Sequence, residues 1–131
     1  MIYVFYRHAQ ISTSGPGKPE WFSYESCFKN FENSIIDCPD VNVTMVFDGT
    51  DLDRDNVMRI AKKYPILNTL HKSSLLSYRD LLTHIKNRND IKQNDLIYFL
   101  ENDYLHVNGW VDIVNDLYNT YDMSTSYISL Y

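Results

Sequence analysis

The sequence has few of the residues that define several common classes of protein. Its 131 residues include two cysteines, four glycines and four prolines. Two cysteines, Cys27 and Cys38, are too few for a disulfide-stabilised scaffold or a four-cysteine zinc site. Neither Gly-x-x-x-x-Gly-Lys-Ser/Thr nor Gly-x-Gly-x-x-Gly occurs in the sequence. These absences argue against a P-loop ATPase and against a dinucleotide-dependent dehydrogenase.

Long apolar runs and clusters of basic residues are also missing. No apolar run approaches the ~20 residues that a membrane helix needs. The apolar N-terminus is interrupted by Arg7 and His8 and has no basic flank, so it predicts a first strand rather than a signal peptide. The net charge is −5, and no Lys/Arg patch suits a nucleic-acid backbone. We therefore expect a cytoplasmic protein with no membrane span and no nucleic-acid partner.

The residues that are present favour one globular domain. Hydrophobic residues make up 44% of the chain and charged residues 22%, which is the balance of a globular protein. A chain of this length is enough for one domain and too short for two ordinary ones. We expect a single domain over residues 1–131.

Hydrophobic patterning predicts strands that alternate with helices. Short β-branched and aromatic runs predict strands, and apolar residues at helical spacing predict helices. The predicted strands are Ile2–Tyr6, Val41–Phe47, a short one at Pro65–Leu67, Leu96–Leu100 and Ser126–Tyr131. The first predicted helix is Trp21–Ile36. The second is capped by Asp51 or Asp53, with Val57, Ile60, Ala61 and Tyr64 facing inward. The third is capped by Ser73 or Ser74, with Leu75, Tyr78, Leu81, Leu82 and Ile85 facing inward, and the fourth has Trp110, Ile113, Val114 and Leu117 facing inward. This order predicts an α/β fold, a mainly parallel open sheet flanked by helices.

Polar clusters follow three of the predicted strands. Arg7 and His8 follow the first strand, Asp48–Asp51 the second and Glu101–Asp103 the fourth. Open α/β sheets bind ligands in a crevice outside the carboxyl ends of their strands. We therefore expect these three clusters to form a ligand site.

The spacing of Glu101 and Asp103 suggests a metal site. On extended backbone, side chains at i and i+2 point the same way. Two carboxylates on one side suit Mg²⁺ or Mn²⁺ carrying a phosphate group. The alternative is a solvated turn with a helix-capping role.

The segment at Asp48 has two interpretations. Gly49 permits a tight turn, and Asp48 could accept a hydrogen bond from a base N–H or a ribose hydroxyl. Alternatively, the segment is an ordinary turn followed by a helix cap. Residues 46–50 also look like the Asp-x-Asp-Gly-Thr motif of haloacid-dehalogenase-type phosphatases. Val46 stands where that motif has its nucleophilic Asp, so a phospho-aspartate cannot form and this function is excluded.

Two arginines are candidates for binding a phosphate. Arg7 leaves the first strand, and Arg79 lies on the helix before the fourth strand, so either guanidinium could reach a pyrophosphate. The alternative for both is an exposed ion pair. His106 could add a metal ligand near Asp103 but is more typical of a polar loop residue, and Cys27 is predicted to lie in the core.

The order of these segments resembles the nucleotide-binding half of GT-A-fold glycosyltransferases of the family-2 type. Val46–Asp53 is similar to that family's second-strand turn, and Leu96–Tyr104 is similar to its Asp-x-Asp segment, with Glu101 in place of the first Asp. Ser77–Arg79 falls where the family often carries Ala-Arg-Asn. The resemblance covers nearly the whole chain and depends on the order of short motifs.

The resemblance implies a nucleotide-diphosphate sugar as donor and an unidentified hydroxyl acceptor. Asp48 would contact the base or ribose, and Arg7 and Arg79 would lie near the nucleotide sugar. Asp103 would hold the Mn²⁺ or Mg²⁺ that bridges the phosphates, with Glu101 near the ribose or a metal-bound water. The metal would act as a Lewis acid on the diphosphate leaving group.

Two departures from that family bear on function. The loop Ile11–Glu20 is longer than the family's link after the first strand, and no residue after Asp122 is a candidate general base. The resemblance therefore implies a fragment of a longer enzyme or a donor-binding module. Two other functions stay open: a non-catalytic α/β interaction module, including a homo-oligomer, and a phosphate-transferring metalloenzyme of another α/β family.

Overall fold

Strands and helices alternate along the chain. A computed structural model describes residues 1–10, 18–71 and 73–121. The strands are β1 (Ile2–Ala9), β2 (Val41–Asp48), β3 (Ile66–Asn68) and β4 (Leu96–Glu101). The helices are α1 (Tyr24–Ser34), α2 (Asn56–Ile60), α3 (Ser74–Lys86) and α4 (Trp110–Thr120).

The four strands form one parallel sheet in the order β3-β2-β1-β4. The chain builds outward from β1 to β3 and then returns to place β4 on the other side of β1. This arrangement confirms the predicted α/β fold, with a Rossmann-like order of elements. The predicted strand Ser126–Tyr131 lies outside the described residues.

No helix in the described part of the chain has the length and apolar character needed to cross a bilayer.

Different helices pack on the two faces of the sheet. The even-numbered residues of β1 face the larger core, which holds buried side chains of α1, α2 and α4. Tyr3 and Phe5 face the other way and pack with Leu81 of α3. Cys27 is buried, as expected from the sequence. Neighbouring residues of β1 therefore meet different helices.

Two helices begin later than the periodicity predicts. The first starts at Tyr24 rather than Trp21, because the Ser23 hydroxyl accepts a hydrogen bond from the Ser26 amide and caps the helix. Trp21 is 61% exposed. The cap of α2 is Asp55, whose Oδ1 accepts from the Met58 amide, and neither Asp51 nor Asp53 has that role.

Several residues predicted to face inward are exposed. Ile60, Leu75, Leu82 and Ile113 are between 40% and 76% exposed. In α3 the buried positions are Ser77 and Leu81, four residues apart, so Leu75 and Leu82 lie on the outer side of the helix. In α4 the buried stripe is Trp110, Val111 and Val114. The apolar stripes were too wide for periodicity to identify which edge is covered.

His106, which follows β4 in the chain, is buried among aromatic rings. His106 lies 5.3–5.8 Å from the ring centres of Phe31, Tyr98 and Trp110. Its backbone amide donates to Asn30 Oδ1 at 2.6 Å, and its Nε2 lies 2.9 Å from the Tyr98 hydroxyl. Nδ1 has no partner among the described residues. Burial lowers the pKa of His106 to about 4.

The low pKa of His106 predicts a loss of stability in mild acid. The unfolded chain takes up this proton near pH 6.5, whereas the folded chain resists it until about pH 4, so stability is lost as the pH falls between those values. We expect the free energy of unfolding to fall by roughly 2 kcal/mol between pH 7 and pH 5, measured by urea unfolding.

The control for this prediction is a second histidine. His106→Gln should flatten the pH dependence, whereas His84→Gln, at a half-buried position in the last turn of α3, should retain it. The carboxyls whose pKa is lowered, Asp55 and Asp90, titrate below this window. An unchanged profile in His106→Gln would show that burial of this imidazole is not the cause.

Candidate functional site

A cleft of about 360 Å³ opens at the carboxyl ends of β1, β2 and β4. It lies where the direction of chain progression reverses, between β1 and β4, which is the usual place for a ligand in open parallel sheets. Its volume falls within the range of small-molecule sites. Arg7, Asp48 and Glu101 from the sequence prediction all line it.

The length of β1 decides how the first polar cluster is arranged. The strand continues to Ala9, so Arg7 and His8 lie within it rather than after it. Side chains alternate along a strand, so Arg7 points toward α3 and His8 toward α1 and α2. The same alternation at the end of β4 places Glu101 beside Arg7 and Asn102 beside His8.

Arg7 joins two strands and a helix. Its Nη1 donates to Glu101 Oε1, the residue opposite it in the ladder. Its Nη2 donates to the Ser74 carbonyl at 3.0 Å and lies 3.2 Å from the Ser74 hydroxyl. The guanidinium lies 5.2 Å from the ring centre of Tyr78. Only 14% of the Arg7 side chain is exposed, against 48% for Glu101, so the carboxylate is the partner that can move.

His8 uses both of its ring nitrogens. Nε2 lies 2.9 Å from each carboxylate oxygen of Asp55, and Asn102 Nδ2 lies 2.7 Å from Nδ1. An amide nitrogen can only donate, so Asn102 donates to Nδ1 and the ring proton on Nε2 is directed to Asp55. Burial alone raises the pKa of Asp55, but hydrogen bonds from His8 and the Met58 amide outweigh it and lower that pKa.

Gly49 is required by the close approach of two chain segments. A Cβ at this position would lie 2.6 Å from both the Gln10 Cβ and the Phe47 ring. Gln10 lies there because its Oε1 accepts hydrogen bonds from the backbone amides of Thr50 at 2.7 Å and Asp51 at 3.3 Å. This glycine therefore serves close packing at the edge of the cleft.

Asp48 closes the cleft on the β2 side. Its Oδ1 accepts a hydrogen bond from the His71 backbone amide at 2.6 Å. That bond fastens the end of β2 to the connection between β3 and α3. Next to it, the Thr69 and Ser77 hydroxyls lie 2.8 Å apart and are buried.

Two of the predicted site residues lie elsewhere. Asp103 does not line the cleft and instead pairs with Lys18 Nζ at 2.9 Å. Glu101 and Asp103 would point the same way only on extended backbone, whereas β4 ends at Glu101 and a turn follows, so the two carboxylates diverge. Arg79 is exposed on α3 and does not line the cleft.

The carboxylates of the cleft are the candidate ligands of a divalent cation. Within the residues that the structure describes, no group of three or more His, Cys, Asp or Glu side chains could hold a metal ion. An ion that arrives with a diphosphate needs only one or two carboxylates, because phosphate oxygens and waters complete its shell. Glu101 and Asp48 line the cleft and could each supply such a carboxylate, whereas Asp103 does not line it.

Several lining residues were not among the sequence candidates. They are Gln10, Tyr24, Ser73, Ser74, Ser77 and Asn102. The sequence predicts Ser73 and Ser74 only as helix caps. Asn102 lies in the turn after β4, so strand alternation does not predict its contact with His8.

No protein-family model, curated protein or solved structure matches the chain.

The close packing around Gly49 predicts that a larger residue at this position destabilises the fold. Gly49→Ala should lower the free energy of unfolding by about 1–3 kcal/mol, because overpacking forces Gln10 or Phe47 to shift. Chemical denaturation measures this loss.

The matched control is Gly109→Ala. Gly109 has φ +80 and no atom near its missing Cβ, so its substitution should cost only the backbone term of about 1 kcal/mol. A Gly49→Ala variant as stable as the wild type would contradict a steric role for Gly49.

Proposed function

We propose that this chain binds a nucleotide-diphosphate sugar in the cleft and is the donor-binding part of a metal-dependent glycosyltransferase. The observation that carries the proposal is the arrangement of Arg7, Asp48 and Glu101 around one cleft at the reversal point of a parallel sheet. A cation, hydroxyl-binding carboxylates and a helix start are the groups that such a ligand needs.

Arg7 and the start of α3 are the diphosphate-binding groups in this proposal. A guanidinium binds phosphate oxygens through two parallel N–H groups, and Arg7 lies beside Ser74, the first residue of α3. The amino end of a helix favours negative charge. The hydroxyls of Ser73, Ser74 and Ser77 line the same side of the cleft and can donate to the ligand.

The cleft needs additional positive charge. Asp48 and Glu101 face one guanidinium, so a diphosphate on its own meets an excess of carboxylate. Mn²⁺ or Mg²⁺ held by Glu101 would offset that charge and supply Lewis acidity to the diphosphate leaving group. Once Glu101 turns to the cation, Arg7 can donate to phosphate instead, and Asp48 can accept from a ribose or base donor. The earlier assignment of Asp103 as a metal ligand stays a prediction.

Titration with UDP, GDP and their glucose conjugates tests the proposal, with and without Mn²⁺. We expect binding that is tighter with the metal, measured by calorimetry. Arg7→Gln should weaken it about 10- to 100-fold, because a hydrogen bond to a charged group is lost. The matched control is Arg88→Gln, because Arg88, like Arg7, stacks on a tyrosine and pairs with a carboxylate but lies at the other end of the sheet.

Glu101→Gln distinguishes the two roles of this carboxylate by the sign of its effect. Without metal, the variant should tighten UDP binding by about tenfold, because the ion-pair partner of Arg7 is removed. With Mn²⁺, the same variant should weaken binding, because a ligand of the cation is lost. An absence of nucleotide binding under every condition would rule out the proposed function.

An interaction module is the second candidate, favoured by an exposed apolar surface on the α3 side of the sheet. Leu75, Leu82, Ile97 and Phe99 are each at least 37% exposed there. Large apolar side chains exposed on one side of a protein are a feature of association surfaces. Light scattering separates the candidates, because a stable oligomer that is indifferent to nucleotides would favour the module.

A further inference from the structure

A second cleft, of about 380 Å³, opens on the other side of His8. Glu25 at the start of α1 and Arg54 and Asn56 at the start of α2 contribute to its lining. The two clefts share three residues, His8, Gln10 and Tyr24. A molecule seated in one cleft therefore lies directly beside a molecule, or part of a molecule, seated in the other.

The shared wall is held in place by hydrogen bonds. His8 is fixed from both ring nitrogens, by Asp55 and by Asn102. Gln10 uses its Oε1 for the backbone amides of the β2 turn, and this fixes the direction of its amide nitrogen, a donor. Groups that are fixed before a ligand arrives cost little ordering free energy on binding.

The lining of the second cleft suits a ligand without charge. Among the described residues that line it, the cation Arg54 is 88% exposed on its side chain and pairs with Asp51 at 3.3 Å, and Asp55 pairs with His8. These lining residues include no buried guanidinium like that of Arg7 in the first cleft. What the second cleft offers is a mixture of hydrogen-bond acceptors and donors, Glu25, Gln10 and Asn56, next to the Tyr24 ring. Such a set pairs with neighbouring hydroxyl groups, each of which both donates and accepts.

We infer that the second cleft is a subsite for a neutral sugar ring, with Glu25 accepting from its hydroxyls and Arg54 donating to them. The inference rests on the proposed function, since the first cleft would then hold the diphosphate to which a sugar is attached or from which it is transferred. The ring could belong to the donor or to a separate acceptor, and the chemistry of recognition is the same for both.

The test uses the double variant Glu25→Gln/Arg54→Gln. Its matched control, Glu32→Gln/Lys62→Gln, changes the same charges on α1 and just after α2 but outside both clefts. Circular dichroism and urea unfolding establish that each variant is folded. Binding of glucose, galactose and their neutral disaccharides is followed by NMR saturation transfer, with and without UDP, and binding of UDP and UDP-glucose by calorimetry.

Two results support the subsite, and they separate the two sources of the sugar. If the donor supplies the ring, the double variant weakens UDP-glucose about tenfold and leaves UDP unchanged. If an acceptor supplies it, the wild-type chain binds a free sugar, and the double variant loses that binding. The control variant retains both.

Two results would overturn it: a double variant that binds every ligand as the wild type does, or one that weakens UDP and UDP-glucose equally. Sugar binding without any nucleotide binding would refute the proposed function and leave the carbohydrate subsite standing. Failure of the two proposals is therefore distinguishable.

Discussion

Alternation of side chains along β1 is the constraint on which this site depends. Residues with even numbers on this central strand face the three-helix side, and residues with odd numbers face α3. Arg7 and His8 are adjacent in sequence and yet organise two separate networks, one through Glu101 and Ser74 and the other through Asp55. Because β1 is paired on both sides, neither side chain can change face without breaking the ladder.

Much of the fold could be predicted because its signals are local. The strands are short apolar runs, and the alternation with helices leaves little choice other than a parallel sheet. The carboxyl edge could be predicted for the same reason, since parallel strands end together. Arg7, Asp48 and Glu101 meet at one cleft as this rule requires.

What could not be predicted depends on where strands stop and which helix faces are covered. Extended backbone at residues 101–103 would have aligned Glu101 with Asp103, but the turn after β4 sends Asp103 to Lys18. Likewise, nothing within α3 distinguishes Leu81, which meets the sheet, from Leu82, which is 44% exposed. Both outcomes are set by tertiary packing, which a single sequence does not encode in its periodicity.

The contact between Arg7 and Glu101 gives the cleft an anion of its own. Glu101 is tethered to the neighbouring strand, so it acts on the guanidinium with a high effective concentration. Any anion that approaches Arg7 must compete with this internal carboxylate. A ligand with several points of attachment competes better than a simple phosphate ion, which forms few contacts.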